Sequence, residues 1–171
     1  MADNPACATT KPLENDPSEN AQSVGILIQF GSFRMIDLGD LTWNKENELV
    51  CPVNKIGTVD LYLTTHHGMN ISNSPAIVQA LHPRVAVMNN GARKGGSPEA
   101  WQVVHDSPGL QDIWQVHYAM DGGKDHNSPE AMIANIYDKD DEANWLKVSA
   151  GADGEITVYN SRNKFEKTYT K

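Results

Sequence analysis

No apolar run in this sequence approaches the length of a membrane span; the longest, Val24 to Ile28 and Val85 to Met88, are strand-sized. Basic charge is scarce as well. Fourteen Lys and Arg stand against twenty-two Asp and Glu, a formal net charge of −8. Such a chain repels nucleic acid unless a local basic patch overrides the total. The one tight basic pair is Arg93-Lys94, while Arg162, Lys164, Lys167 and Lys171 are spaced out and read as a solvated tail. Cysteine is nearly absent: Cys7 and Cys51 form no CxxC pair, and two are too few to fix a compartment. A bridge between them stays open, and the preferred reading of Cys51 is a small buried apolar residue. Residues 1–20 contain no apolar core segment, so no signal peptide is read there, and localisation is left unknown.

What is present suits one soluble globular domain. The 171 residues are enough to bury a core, and 39% hydrophobic with 21% charged residues leaves somewhat more polar loop than usual. Met1 to Asn20, rich in Asn, Pro, Asp, Glu and Thr, reads as a flexible lead-in or an interior loop of a longer protein. Residues 21–171 read as the folded part. Val24 to Phe30 and Phe33 to Leu38, joined at Gly31-Ser32, predict an antiparallel hairpin. A short helix is expected over Leu41 to Val50, a strand over Val59 to Thr65, and a buried strand over Val85 to Met88. Ser74-Pro75 and Ser97-Pro98 each predict a helix start, with Ser as the cap and Pro at the first helical position. Asp112 to Tyr118 reads as strand, Ser128-Pro129-Glu130 as one more short helix, and Trp145 to Ser149 with Glu155 to Tyr159 as a strand pair. The alternation of strand and helix from Val59 onward gives an α/β class, a mixed sheet with flanking helices. In such sheets functional loops gather at the carboxyl ends of the strands.

Polar signals fall at those ends. Gly39-Asp40 follows the second hairpin strand, and Gly39 permits a tight exit that turns the carboxylate toward a site; a helix cap is an equally strong reading of Asp40. His66-His67-Gly68 follows the next strand. Imidazole is the commonest metal ligand, and a glycine after it leaves room for a sharp turn. Asn89 to Gly96 follows the strand after that. Its three glycines, with Asn90, Arg93 and Lys94, form a candidate substrate-binding loop, balanced evenly against a plain solvent loop. The spacing is not that of a nucleotide phosphate loop.

Taken in order, Asn20-Ala21-Gln22-Ser23, the hairpin ending Asp37-Leu38-Gly39-Asp40, the strand Val59 to Thr65 running into His66-His67-Gly68, and His82-Pro83-Arg84-Val85-Ala86-Val87-Met88 resemble the second half of the metallo-β-lactamase fold. The nearest flavour is the hydrolase-like domain of the ComEC/Rec2 competence proteins. The likeness is specific from about Glu19 to Gly91. It implies half of an αββα sandwich that binds one or two metal ions, usually zinc. By resemblance, Asp40 matches the aspartate that bridges two metals, and His66 or His67 matches the final metal histidine.

The family's first half carries a His-x-His-x-Asp-His motif. No such string occurs here, and no histidine at all precedes His66. Catalytic zinc typically takes about three protein ligands plus water; the matching motifs supply one carboxylate and one imidazole, so weak or absent metal binding is expected of this chain alone. One sheet of the sandwich would be largely missing, leaving a sheet face exposed or covered in another way. The preferred expectation is the tail of a longer gene product with Met1 an internal methionine; the other is a short protein that pairs with another chain or with itself. The resemblance implies a portion of a hydrolase in which a metal-bound hydroxide attacks an ester, amide or phosphodiester. The alternative is a non-catalytic degenerate domain serving binding or assembly. Small molecules and phosphodiesters are the expected substrates, and charge gives nucleic acid no support.

Overall fold

The computed structural model describes residues 3–138 and 143–171; Met1, expected above to be an internal methionine, lies outside them. Its centre is a six-stranded mixed sheet. Strands β1 (Ile26–Phe30) and β2 (Phe33–Asp37) form the expected antiparallel hairpin, in register from Phe30 opposite Phe33 to Ile26 opposite Asp37. Then β3 (Leu61–Leu63), β4 (Val85–Met88), β5 (Asp112–His117) and β6 (Ile133–Asn135) add in sequence, each parallel to the one before. The continuous apolar run of β4 is buried at every position, as a strand covered on both faces must be.

Strands added always in one direction, through crossovers of one hand, place every connecting helix on one face of the sheet. Helices α1 (Trp43–Val50), α2 (Pro75–Leu81) and α3 (Pro98–His105) occupy that face. Val50, Ile77, Leu81, Trp101 and Val104 pack there on Ile36, Tyr62 and Ala86 of the strands. The Ser-Pro starts hold. The Ser74 hydroxyl accepts the Ile77 amide at 3.2 Å; α3 begins at Pro98 as expected, without a cap bond from the Ser97 hydroxyl.

The opposite face is covered by the expected strand pair of the carboxyl-terminal segment, joined by a third strand that the sequence did not reveal. β7 (Leu146–Ala150), β8 (Ile156–Asn160) and β9 (Glu166–Tyr169) form a separate antiparallel sheet. Its Ile156, Val158 and Tyr169 pack against Phe33, Leu61, Val85 and Trp114. The molecule is thus helix layer, central sheet, small sheet. Exposed apolar surface falls instead on the edge strand β1, where Ile26, Leu27, Ile28 and Phe30 are each 44–54% exposed.

Three further expectations change. The terminal basic residues are not a solvated tail: Lys167 pairs with Asp112, Lys171 with Asp60, and Arg162 donates to the carbonyls of Glu130 and Ile133, which ties β9 and its approach to the body. Cys51 is not an isolated buried thiol but is bonded to Cys7, 44 residues away. The segment read as a flexible lead-in is held by that bridge, by the buried Asn4 side chain donating to the Ala76 carbonyl, and by the Trp43 indole donating to Lys11. Among the described residues no helix is long and apolar enough to cross a membrane.

Candidate metal centre

Because β2 to β5 run parallel, their carboxyl ends share one edge, and Asp40, His66-His67 and the 89–96 loop all follow strands there. The tips of β2 and β3 are joined directly: the His66 amide donates to the Gly39 carbonyl at 2.9 Å. Gly39 has φ +57, the left-handed exit that its position required. Asp40 is not a helix cap; that position belongs to Thr42. The Asp40 amide donates to the Ser23 hydroxyl at 3.1 Å, leaving the carboxylate free to face the histidine turn.

That turn places Asp40 Oδ1 3.6 Å from His67 Nε2, with both side chains partly exposed. The separation is long for a hydrogen bond. Asp40 Oδ1 and His67 Nε2 are the atoms that would hold a zinc ion placed between them. The far side of each ring fixes its tautomer. His67 Nδ1 lies 3.1 Å from the Asn89 carbonyl, which only accepts, so Nδ1 carries a proton, and in the neutral ring the Nε2 lone pair faces Asp40. The Ser72 hydroxyl donates to the Leu41 carbonyl at 2.7 Å, so its oxygen accepts from His66 Nδ1 at 3.3 Å. His66 Nε2 is then also a lone pair, 3.5 Å from the Asn20 amide nitrogen. Burial holds His66 below the ordinary imidazole range, with the nearby Asp40 opposing. An imidazole anchored through one nitrogen and open at the other is the arrangement of a metal ligand with its outer partner.

The glycine-rich loop shapes this turn rather than cradling an anion. The Gly96 amide donates to the His67 carbonyl and the Ser97 amide to that of Gly68, each at 2.9 Å. A Cβ on Gly95 would meet the His67 carbonyl oxygen at 2.0 Å, so the loop can lie this close only as glycine. Asn90, expected at the substrate, is buried, and its amide donates to the backbone carbonyls of His117 and Gly91. Arg93 is spent on Asp138, with Nη2 at 2.7 Å from the carboxylate. Lys94 is exposed and within electrostatic reach of His66. Sequence reasoning placed Asn20 and Ser23 in a motif without a role and passed over Asn89 and Ser72. Asn89 acts through its backbone and Ser72 by a fold-dependent contact, and neither leaves a mark in sequence.

Among the described residues no group of three or more His, Cys, Asp and Glu side chains is gathered to hold a metal. Asp40 and His67 fit two positions of a zinc site and do not complete it. Comparison of the chain with protein-family models, with curated proteins and with solved structures finds no match.

Proposed function

We propose that this chain is the ligand-bearing portion of a zinc-dependent hydrolase of metallo-β-lactamase type, with Asp40 and His67 as one side of the metal site. The observation that carries the reading is the 3.6 Å approach of the Asp40 carboxylate to a His67 Nε2 whose opposite nitrogen is anchored on a carbonyl. A helix layer on one face of a mixed sheet, with Asp40 and the histidines at adjoining strand tips, agrees with the second half of that sandwich and with the ComEC/Rec2-like flavour of its motifs. Asp40 and His67 fill two positions of such a site, and a working catalytic zinc takes about three protein ligands. A bound zinc would supply Lewis-acid chemistry for hydrolysis of an ester, amide or phosphodiester. The protein's own part is to hold Asp40 and the His67 lone pair in place. Lys94 offers the positive charge that an anionic substrate requires, while Arg93 and Asn90, already engaged, do not.

Calorimetric titration with zinc tests this. The unaltered chain is expected to bind one ion weakly, and Asp40→Ala and His67→Ala are each expected to weaken that binding at least tenfold. No binding by the unaltered chain, or equal binding by the double variant, overturns the assignment.

A second reading, an assembly module, is favoured by β1. It is an edge strand with Ile, Leu and Phe exposed and no charged residue or proline among Ile26–Phe30, the usual devices that keep edges apart. A cavity of about 410 Å³ beside it is lined by Leu27, Leu38, Leu41 and Leu49. Pairing of two β1 strands would extend the sheet across a two-fold axis. Light scattering is expected to show concentration-dependent dimers for the unaltered chain and monomers for Ile28→Lys. A monomer at every concentration removes this reading.

A further inference from the structure

We propose that Glu46 is the positioning residue of the His66-His67 turn, fixing both imidazoles from helix α1. Glu46 is fully buried. Its two carboxylate oxygens accept separate backbone amides, Asn73 at 2.8 Å and Ser74 at 2.9 Å. Asn73 passes this hold to the turn. Its side-chain nitrogen donates to the carbonyls of Thr65 at 2.9 Å and Met69 at 3.3 Å, and its oxygen accepts from the Tyr62 hydroxyl at 2.8 Å. Tyr62 in turn accepts the Thr65 amide at 3.2 Å and meets the Thr65 hydroxyl at 2.8 Å. The clamp therefore grips both ends of the segment that contains the two rings.

The segment needs such a clamp. His66, His67 and Gly68 are all left-handed, with φ of 52°, 57° and 75°, a conformation that a side chain with a Cβ resists. Asn73, at φ 61°, is a residue type that tolerates the same region. Helix α1 also begins just after Asp40, and two more bonds stitch its start to the far end of the turn: Trp43 amide to Ile71 carbonyl at 2.8 Å, and Ser72 hydroxyl to Leu41 carbonyl at 2.7 Å. One helix thus sets the spacing of carboxylate and imidazoles together. Ser74 caps α2 through the Ile77 amide, and Glu46 takes the two amides that precede the helix, those of Asn73 and Ser74. Burial pushes the Glu46 carboxyl up to about 7 against the pull of its two amide donors, a cost that a purely apolar contact would avoid.

The metal consequence of this proposal rests on the hydrolase reading; the placement of the rings does not. The test is therefore made first without metal, by nitrogen-15 spectroscopy of the His66 and His67 rings. In the unaltered chain both rings are expected as single Nδ1–H tautomers, and the Asn73 and Ser74 amides are expected to exchange as slowly as the core of α2. Glu46→Gln turns an amide donor against one backbone N–H. Asn73→Gly keeps the left-handed backbone and the Glu46 contacts but severs the link to Thr65. Both variants are expected to fold, to lose the single-tautomer pattern at both rings, and to bind zinc about tenfold more weakly. Glu48→Gln, an exposed position on the same helix, is expected to change neither. Unaltered ring signals in folded Glu46→Gln and Asn73→Gly overturn the proposal, as does loop-like exchange of the Asn73 and Ser74 amides in the unaltered chain. If zinc fails to bind at all, the hydrolase reading falls while the ring signals still decide the role of Glu46.

Discussion

Trp114→Ala is expected to lower folding stability by about 3–5 kcal/mol. Trp114 is wholly buried in the core between the two sheets. Its indole nitrogen donates to the Tyr169 hydroxyl at 2.8 Å, and its ring stacks on Phe165, with centroids 5.7 Å apart. Truncation leaves a cavity between β5 and β9 and a buried hydroxyl without its donor, two penalties of different origin. For a chain of this size the melting midpoint is expected to drop by roughly 6–20 °C. Tyr169→Phe separates the two: it keeps the packing, removes the hydroxyl, and is expected to cost about 1–2 kcal/mol. Equal losses in both variants would show that the hydrogen bond, and not the filled volume, joins the sheets.

Replacing Cys7 and Cys51 together by alanine is expected to cost about 2–4 kcal/mol. The bridge closes a loop of 44 residues, which gives about 4 kcal/mol of lost unfolded-state entropy before any relaxation is counted. The loop contains the whole β1–β2 hairpin and all of α1, so its loss loosens the Asp40 tip as well as the amino-terminal segment. Denaturant midpoints with and without reductant provide the check. Reductant is expected to bring the unaltered chain down to the double variant and to leave the variant unmoved. Two titratable thiols in the untreated chain would remove the basis of the prediction.

The central architecture was legible wherever local chemistry and tertiary demand agree. The Ser74-Pro75 and Ser97-Pro98 starts place α2 and α3, the apolar run at Val85–Met88 places β4, and Gly31-Ser32 places the hairpin. Strands β6 and β9 were not legible. Ile133–Asn135 is too short to show a period, and Glu166–Tyr169 alternates polar residues that a strand at a sheet edge accepts as readily as a solvated tail does. The disulfide was equally hidden, because sequence separation says nothing of whether two Cα atoms come within 5.7 Å. At the candidate site, sequence order was enough to bring Asp40 and the histidine pair to one edge. It did not distinguish the two rings, since only the fold brings His67 Nε2 to Asp40, His67 Nδ1 to the Asn89 carbonyl and His66 Nδ1 to the Ser72 hydroxyl. Nor did it mark Glu46, which stands among polar helix residues and differs from Glu48 only in the face it turns inward.

The left-handed histidine pair carries a consequence for how this sequence can change. At φ 52° and 57° a glycine would sit with no steric penalty, whereas each imidazole gives up roughly 1–2 kcal/mol. Each ring also makes a hydrogen bond inside the fold, His66 to Ser72 and His67 to Asn89, so exchange for glycine trades relief of the backbone against the loss of that bond.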